Sequence, residues 1–383
     1  MGKKAKMRGA ALAAPMPRAL SAGQRLDRLL GNYLSTMAFL LGAYFICFEL
    51  SPFHQRELTR DFNFAYIGLP LEPLGFSTSF VPVQWIFRLL IAIYAVVLIR
   101  FYLKYPYIRS KAYIFLRGLW PSIRREKGFS RDTKQAGLAL LLKFFFAPLM
   151  INWCWGHIAD MVGSVGRTLE MWGHTDTFRT LFDASLFWAC FQLILFIDTF
   201  LFTLGYIIET PRLKNRIVTV EPTFFGWFIC LACYPPFNGF TSQFFEWHSS
   251  DFPNFETTWL HVAAGVAALS LMGIYSWASV ALGFKASNLT NRGIISHGPY
   301  KYVRHPAYTA KNLAWWIGAT PIIIGAFNNG GLRTGLYAAG CTAAWSCIYA
   351  LRAWTEERHL LMTDNGYAEY KKKVPYRFIP GVV

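Results

Sequence analysis

Apolar residues in this chain gather into long runs separated by short polar, basic or proline-bearing stretches. Eight of the runs approach the length of a bilayer crossing. They fall at about 33–50, 81–103, 138–162, 182–207, 224–241, 259–283, 309–327 and 336–353. Pro148 lies inside the third and predicts a kink. Pro235-Pro236 interrupts the fifth, which is expected as a kinked or broken helix. The pattern predicts an all-α protein, a polytopic transmembrane helical bundle of about eight spans.

Composition agrees: 54% of residues are hydrophobic, 17% aromatic and 15% charged, against roughly 25% charged in a soluble domain. A formal net charge of +17 would suggest nucleic acid in a soluble protein. Here the cations sit between the spans, where they suit cytoplasmic loops and anionic lipid headgroups, and no nucleic-acid partner is expected. Lys3, Lys4, Lys6, Arg8, Arg18, Arg25 and Arg28 face one acid, Asp27, before the first span. Residues 104–137 carry nine cations, among them Arg125 and Lys127. Lys285, Arg292, Lys301 and Arg304 follow the sixth span, whereas Glu246, Asp251 and Glu256 precede it. The bias predicts cytoplasmic termini at both ends and an even number of spans.

The expected organisation is a basic cytoplasmic arm (1–32), a transmembrane region of about five spans (33–258) with the basic loop 104–137, and a core (259–383) with a tail at 354–383. The arm lacks the compact apolar segment of a cleavable signal peptide. Residues 112–120 are expected as a short interfacial helix. All seven cysteines lie in or beside spans. Cys230 and Cys233 have CxxC spacing without a second pair or a nearby His, so packing is the expected role and no metal site is predicted.

The stretch richest in chemistry is Gly298-Pro299-Tyr300-Lys301-Tyr302-Val303-Arg304-His305-Pro306-Ala307-Tyr308. Its prolines exclude a continuous helix, so it reads as a shaped polar loop at a membrane surface. Topology needs the positive charge but not the Tyr, His and Pro spacing. The last span continues into Arg352-Ala-Trp-Thr-Glu356-Glu357, where a helix puts Arg352 and Glu356 on one face. As a solvated ion pair they would contribute only about 0.3–0.5 kcal/mol. Asp364-Asn365-Gly366 then stops the helix, and Tyr367, Tyr370 and Val374-Pro375-Tyr376-Arg377 follow. Loop and tail share one face, so their acids, bases and tyrosines are expected to enclose a ligand bearing both charges.

Gly298-Pro-Tyr-x-Tyr-x-Arg-His-Pro-x-Tyr308, a helical hairpin, Arg352-x-x-x-Glu-Glu357-x-x-Leu360, Tyr367-x-x-Tyr370 and Val374-Pro-Tyr-Arg-Phe-Ile-Pro380 occur in that order. Residues 270–383 thereby resemble the isoprenylcysteine carboxyl methyltransferase family, whose wider group includes phosphatidylethanolamine N-methyltransferases. The resemblance implies S-adenosylmethionine bound on the cytoplasmic side and a lipid or lipophilic acceptor entering from the bilayer. It implies that Arg304 and Arg352 lie near acceptor and cofactor as catalytic residues. An amine acceptor would need a carboxylate base, for which Glu356 or Glu357 is the candidate, and Glu356 is counted with the catalytic residues. Gly298, Pro299, Tyr300, Tyr302, His305, Pro306, Tyr308, Glu357, Tyr370 and Arg377 are the implied cofactor-binding set. Two positions depart from the family's usual text: Lys373 before Val-Pro, and Thr309-Ala310 after Tyr308.

Methyl transfer from a sulfonium rests on alignment and water exclusion, which accords with the lack of a triad or metal cluster in the text. Membrane sterol reductases, which use NADPH, share the Arg-His-Pro text, but their Asn-Tyr-x-Gly-Asp run is Ala307-Tyr-Thr-Ala-Lys311 here. A non-enzymatic lipid-binding protein is the third class and predicts no cofactor. Within the spans, Arg88, Lys143, His157, Asp160 and Asp198 stand out, and Lys143 and Asp198 are at compatible depths for a buried pair.

Overall fold

A computed structural model describes residues 20–58, 61–63, 80–124, 128–174, 177–363 and 365–382. Most of the expected arm, together with Arg125, Lys127 and Asp364, lies outside the described residues. Helix α1 (Ala22–Phe45) starts at a capping box, with the Ser21 hydroxyl accepting from the Gln24 backbone and the Gln24 side chain accepting from Ser21. It runs on through a π turn, Ile46–Leu50. After α2 (Pro52–Leu58) come the antiparallel strands β1 (Asp61–Asn63) and β2 (Phe80–Pro82), then α3 (Val83–Lys104), α4 (Lys111–Arg124), α5 (Arg131–Met171), α6 (Phe178–Leu181) and α7 (Phe187–Ile207). The short α8 (Phe224–Leu231) and α9 (Phe237–Phe244) lead to α10 (Thr258–Leu282), α11 (Pro306–Leu361) and α12 (Tyr367–Lys373).

Among the described residues, five segments are long and apolar enough to cross a bilayer: Ala22–Leu50, Val83–Lys104, Arg131–Met171, Phe178–Ile207 and Thr258–Lys285. They correspond to the expected spans one to four and six. The chain is a polytopic, nearly all-helical membrane protein. The expected interfacial helix is α4, which buries Ala112 and exposes Leu116, Trp120 and Ile123.

The last two expected spans are the arms of α11. Gly331 (φ 74°, ψ −174°) breaks it in a conformation that other residues rarely adopt. The arms then run antiparallel: Trp316 donates to the Ser346 hydroxyl, and Tyr308 donates to Glu356. Helix α10 packs between this hairpin and α7, and α5 lies along α7.

Expected span five is broken, and the structure shows how the break is accommodated. Helices α8 and α9 have eight residues each, about 12 Å of helix, against a hydrocarbon core of about 30 Å. A cis Pro235-Pro236 bond lies between them. The chain nevertheless travels from one end of the bundle to the other. Glu221, before α8, lies 4.0 Å from His359 at the end of α11. Phe245 accepts from Trp345, Ser249 donates to the Trp315 carbonyl, and Ser250 N–H bonds the Gly318 carbonyl. Phe255 and Glu256 accept from Arg179 at the far end. Irregular backbone is tolerated at this depth because the protein itself satisfies it.

The main core joins α5, α7 and the segments around 217–220 and 289 through Leu142, Phe146, Leu149, Tyr206, Ile217, Val220 and Leu289. Strand β3 (Thr219–Val220) pairs antiparallel with β4 (Thr290–Asn291), so residues far apart in the text meet beside the hairpin. The expected Lys143–Asp198 pair is not formed. Lys143 pairs with Glu209 at 2.7 Å, while Asp198 accepts from Tyr275 at 2.6 Å and from Ser279. The two residues sit on helices that turn these side chains toward different neighbours. Burial pushes the Glu209 carboxyl up, but Lys143 and Lys111 outweigh it and bring it to about 2.

Candidate functional site

The Arg304–Tyr308 segment is shaped by its proline. Pro306 is the first residue of α11, and the residue before a proline is driven out of the helical region. His305 accordingly has φ −126°. The free N–H groups of Arg304 and His305 then bond the carbonyls of Tyr376 and Arg377, both at 3.0 Å. The tail is thus sewn to the loop by backbone, and Tyr367, Tyr370 and Val374 pack with Ile294 and Leu360 beneath it. Tyr370 donates to the Tyr300 carbonyl at 2.7 Å. Burial pushes the Tyr370 hydroxyl up to about 12, so it stays a donor at neutral pH.

At the centre is Glu357, whose side chain is only 3% exposed. Arg304 Nε reaches its Oε1 at 2.8 Å. Arg377 binds both oxygens, at 3.0 and 3.1 Å. His305 Nε2 is at 3.3 Å and Lys371 Nζ at 3.6 Å. Arg304 also donates to the carbonyls of Val374 and Pro375. Burial alone would raise the Glu357 carboxyl. Hydrogen bonds from His305, Arg377 and Arg304 outweigh it and hold the group well below the usual carboxylate range.

Beside this cluster lies a cavity of about 200 Å³. Arg304, Arg352 and Glu356 line it, as do Tyr300, His305, Tyr308 and Tyr370. The other expected residues are placed around it. Glu357 and Arg377 lie in the ion cluster, and Pro299 is buried in the turn Gly298–Lys301. Gly298 has φ 59°, suited to that turn. Pro306 starts the helix, and Tyr302 is 54% exposed with Lys301 over its ring.

Arg352 and Glu356 are held differently from a surface pair. Arg352 is buried, with its guanidinium carbon 5.1 to 5.6 Å from the ring centres of Tyr234, Tyr308 and Tyr349. It donates to Asn288 at 3.0 Å and lies 3.9 Å from Glu356. Asn288 is itself fixed by Tyr206 and Tyr234, each at 3.0 Å. Glu356 accepts from Tyr308.

Three residues that line this cavity each keep a buried polar atom with no hydrogen-bond partner among the described residues: Arg352 (Nε), Arg292 (Nη2) and Glu221 (Oε2). These residues are 3%, 4% and 1% exposed. Buried polar groups are costly without partners, so a cavity lined by residues of both charge signs favours a ligand carrying both.

Residues 263–362 match the model of the isoprenylcysteine carboxyl methyltransferase family. The matched region contains most of α10, the Arg304–Tyr308 segment and the hairpin through Arg352, Glu356 and Glu357. It supports a membrane methyltransferase. No curated protein and no solved structure matches the chain. Glu221, Tyr234 and Asp198 reach the cavity from outside the matched region.

Sequence reasoning missed Glu221, Tyr234 and Asn288 and counted Lys285 and Arg292 only as topology charges. The available signal for Glu221 was a lone acid before an apolar run, which has no site meaning until β3 pairs with β4. Asp198 was singled out as a polar residue within a span, whereas Lys311, which carries the same signal, was passed over.

Proposed function

We propose that the chain transfers a methyl group from S-adenosylmethionine to a lipid or lipophilic acceptor at the cytoplasmic face of the membrane. The observation that carries this is the lining of the cavity behind the Arg304–Tyr308 segment, where Arg292 and Arg352 stand with Glu221, Glu356 and a set of tyrosines. A cofactor with a carboxylate, an amine, a sulfonium and an aromatic base suits this mixture of guanidinium, carboxylate and tyrosine faces. When bound, it supplies an electrophilic methyl carbon whose bond to sulfur breaks with the pair left on sulfur.

The chain's own residues then do the positioning. Arg292 and Arg352 hold anionic groups, and Glu221 and Glu356 hold cationic ones. Tyr300, Tyr308 and Tyr349 exclude water and offer ring faces. Glu357 touches none of the ligand space and instead locks Arg304, His305 and the tail into place. For an amine acceptor, Glu356 is the carboxylate that takes the proton.

Calorimetry on the full chain in detergent tests the reading. S-adenosylmethionine and its demethylated product are expected to bind, and NADPH is not. Binding of NADPH alone would transfer the chain to the reductases, and binding of none of the three would leave a lipid-binding protein.

A further inference from the structure

Lys311 stands one and a half turns into the first arm of α11, about 8 Å from its start. Its ammonium nitrogen lies 5.1 Å from the ring centre of Trp315, 5.5 Å from Tyr275 and 5.9 Å from Tyr349. Among the described residues it has neither a hydrogen bond nor an ion pair within 4.0 Å. Asp198 and Asp251 act on it only at longer range, and Arg352 is the other nearby charge. Asp198 already accepts from Tyr275 and Ser279 and lines the same cavity. Lys311 lines it too.

A charged side chain inside a span faces a cavity or a partner, because an isolated charge there is costly. Lys311 has the cavity and lacks the partner. Three aromatic rings flank its ammonium, and the residue lines the cavity. Arg304 is differently engaged, since its Nε and Nη1 already bond Glu357 and two tail carbonyls.

We propose that Lys311 is the acceptor-side anion anchor: it binds the acidic group of an anionic amphiphile whose tail lies between the helices. The inference rests on the methyltransferase reading for what happens to that amphiphile, and on geometry alone for its charge. With Lys311 and Arg352 both facing the space around Tyr349, an amine headgroup is repelled and a carboxylate or phosphate is held. Lys311 thereby selects the acceptor class.

The test uses the full chain in a neutral detergent, with laurate, lauryl phosphate, dodecylamine and inorganic phosphate as probes in calorimetry. Laurate and lauryl phosphate are expected to bind the wild-type chain, and dodecylamine and inorganic phosphate are not. Lys311→Met should weaken both anionic amphiphiles by about tenfold or more, and Lys311→Arg should keep them within about threefold. S-adenosylhomocysteine is titrated into the wild-type chain alongside, as the separate check on the methyltransferase reading. Equal binding of dodecylamine and laurate overturns the proposal, as does undiminished laurate and lauryl phosphate binding by Lys311→Met. Tight inorganic phosphate binding with no gain from a tail overturns the amphiphile. Should Lys311→Met fail to fold, Lys311→Gln is read in its place, and undiminished laurate and lauryl phosphate binding by it overturns the proposal. Failure of S-adenosylhomocysteine to bind the wild-type chain would remove the methyltransferase reading and leave the charge comparison standing.

Discussion

Replacing Glu357 tests whether one carboxylate holds the site together. Arg304, Arg377, His305 and Lys371 all lie within 3.6 Å of it. Lys371 is 43% exposed and contributes little. Arg304 is different: its side chain is 5% exposed, so Glu357→Gln leaves a buried guanidinium without its counter-charge. Breaking such a pair costs about 3–5 kcal/mol, a large part of the roughly 5–15 kcal/mol that stabilises a typical fold. The loss is expected to appear locally, because the cluster ties residues 374–377 to the loop. Hydrogen exchange of the detergent-solubilised chain should show faster exchange over 367–382, with the helices α5 and α7 unchanged, and weaker S-adenosylhomocysteine binding through displaced Tyr370. The pH dependence has a definite sign. A carboxyl held below its ordinary value of 4.5 stabilises the fold above that value and loses the contribution as pH falls through its lower folded value. The tail should therefore stay docked at neutral and mildly acidic pH and detach only in strong acid. Unchanged exchange over 367–382 in Glu357→Gln would refute the keystone argument.

Four further outcomes are expected. Gly318→Ala should destabilise by about 1–3 kcal/mol, because a Cβ there would lie 1.9 Å from the Ser250 carbonyl oxygen, and backbone cannot yield as a side chain can. Gly325→Ala on the same arm meets nothing within 4 Å and should be neutral or stabilising by about 0.5–1 kcal/mol, both read as thermal midpoints in detergent. Tyr308→Phe keeps the ring over Arg352 but loses the bond to Glu356, and methyl transfer from labelled cofactor to membrane lipid extract should fall about 10- to 100-fold. Truncating a long-chain acceptor to a water-soluble analogue should lower kcat/KM steeply, since tail burial contributes about 0.8 kcal/mol per CH₂; equal efficiency for the two would place the acceptor in water.

The apolar runs determined the helical membrane class without help, because a bilayer imposes span length and apolar character on each segment separately. Proline positions were equally local. Pro306 marked the start of α11, and Pro235-Pro236 marked the broken fifth run. The Arg304-His305-Pro306 and Glu356-Glu357 texts pointed to one site because each motif is carried by contiguous residues. Which of their charges face a ligand was decided only by tertiary structure. Glu356 and Glu357 are neighbours, yet a helix turns one toward the cavity and the other into a ring of cations. Lys143 chose Glu209 over Asp198, and Glu221 joined the cavity through the pairing of β3 with β4. Such choices depend on how helices rotate and where distant strands meet, which is settled by packing the whole bundle and leaves no periodic trace along the chain.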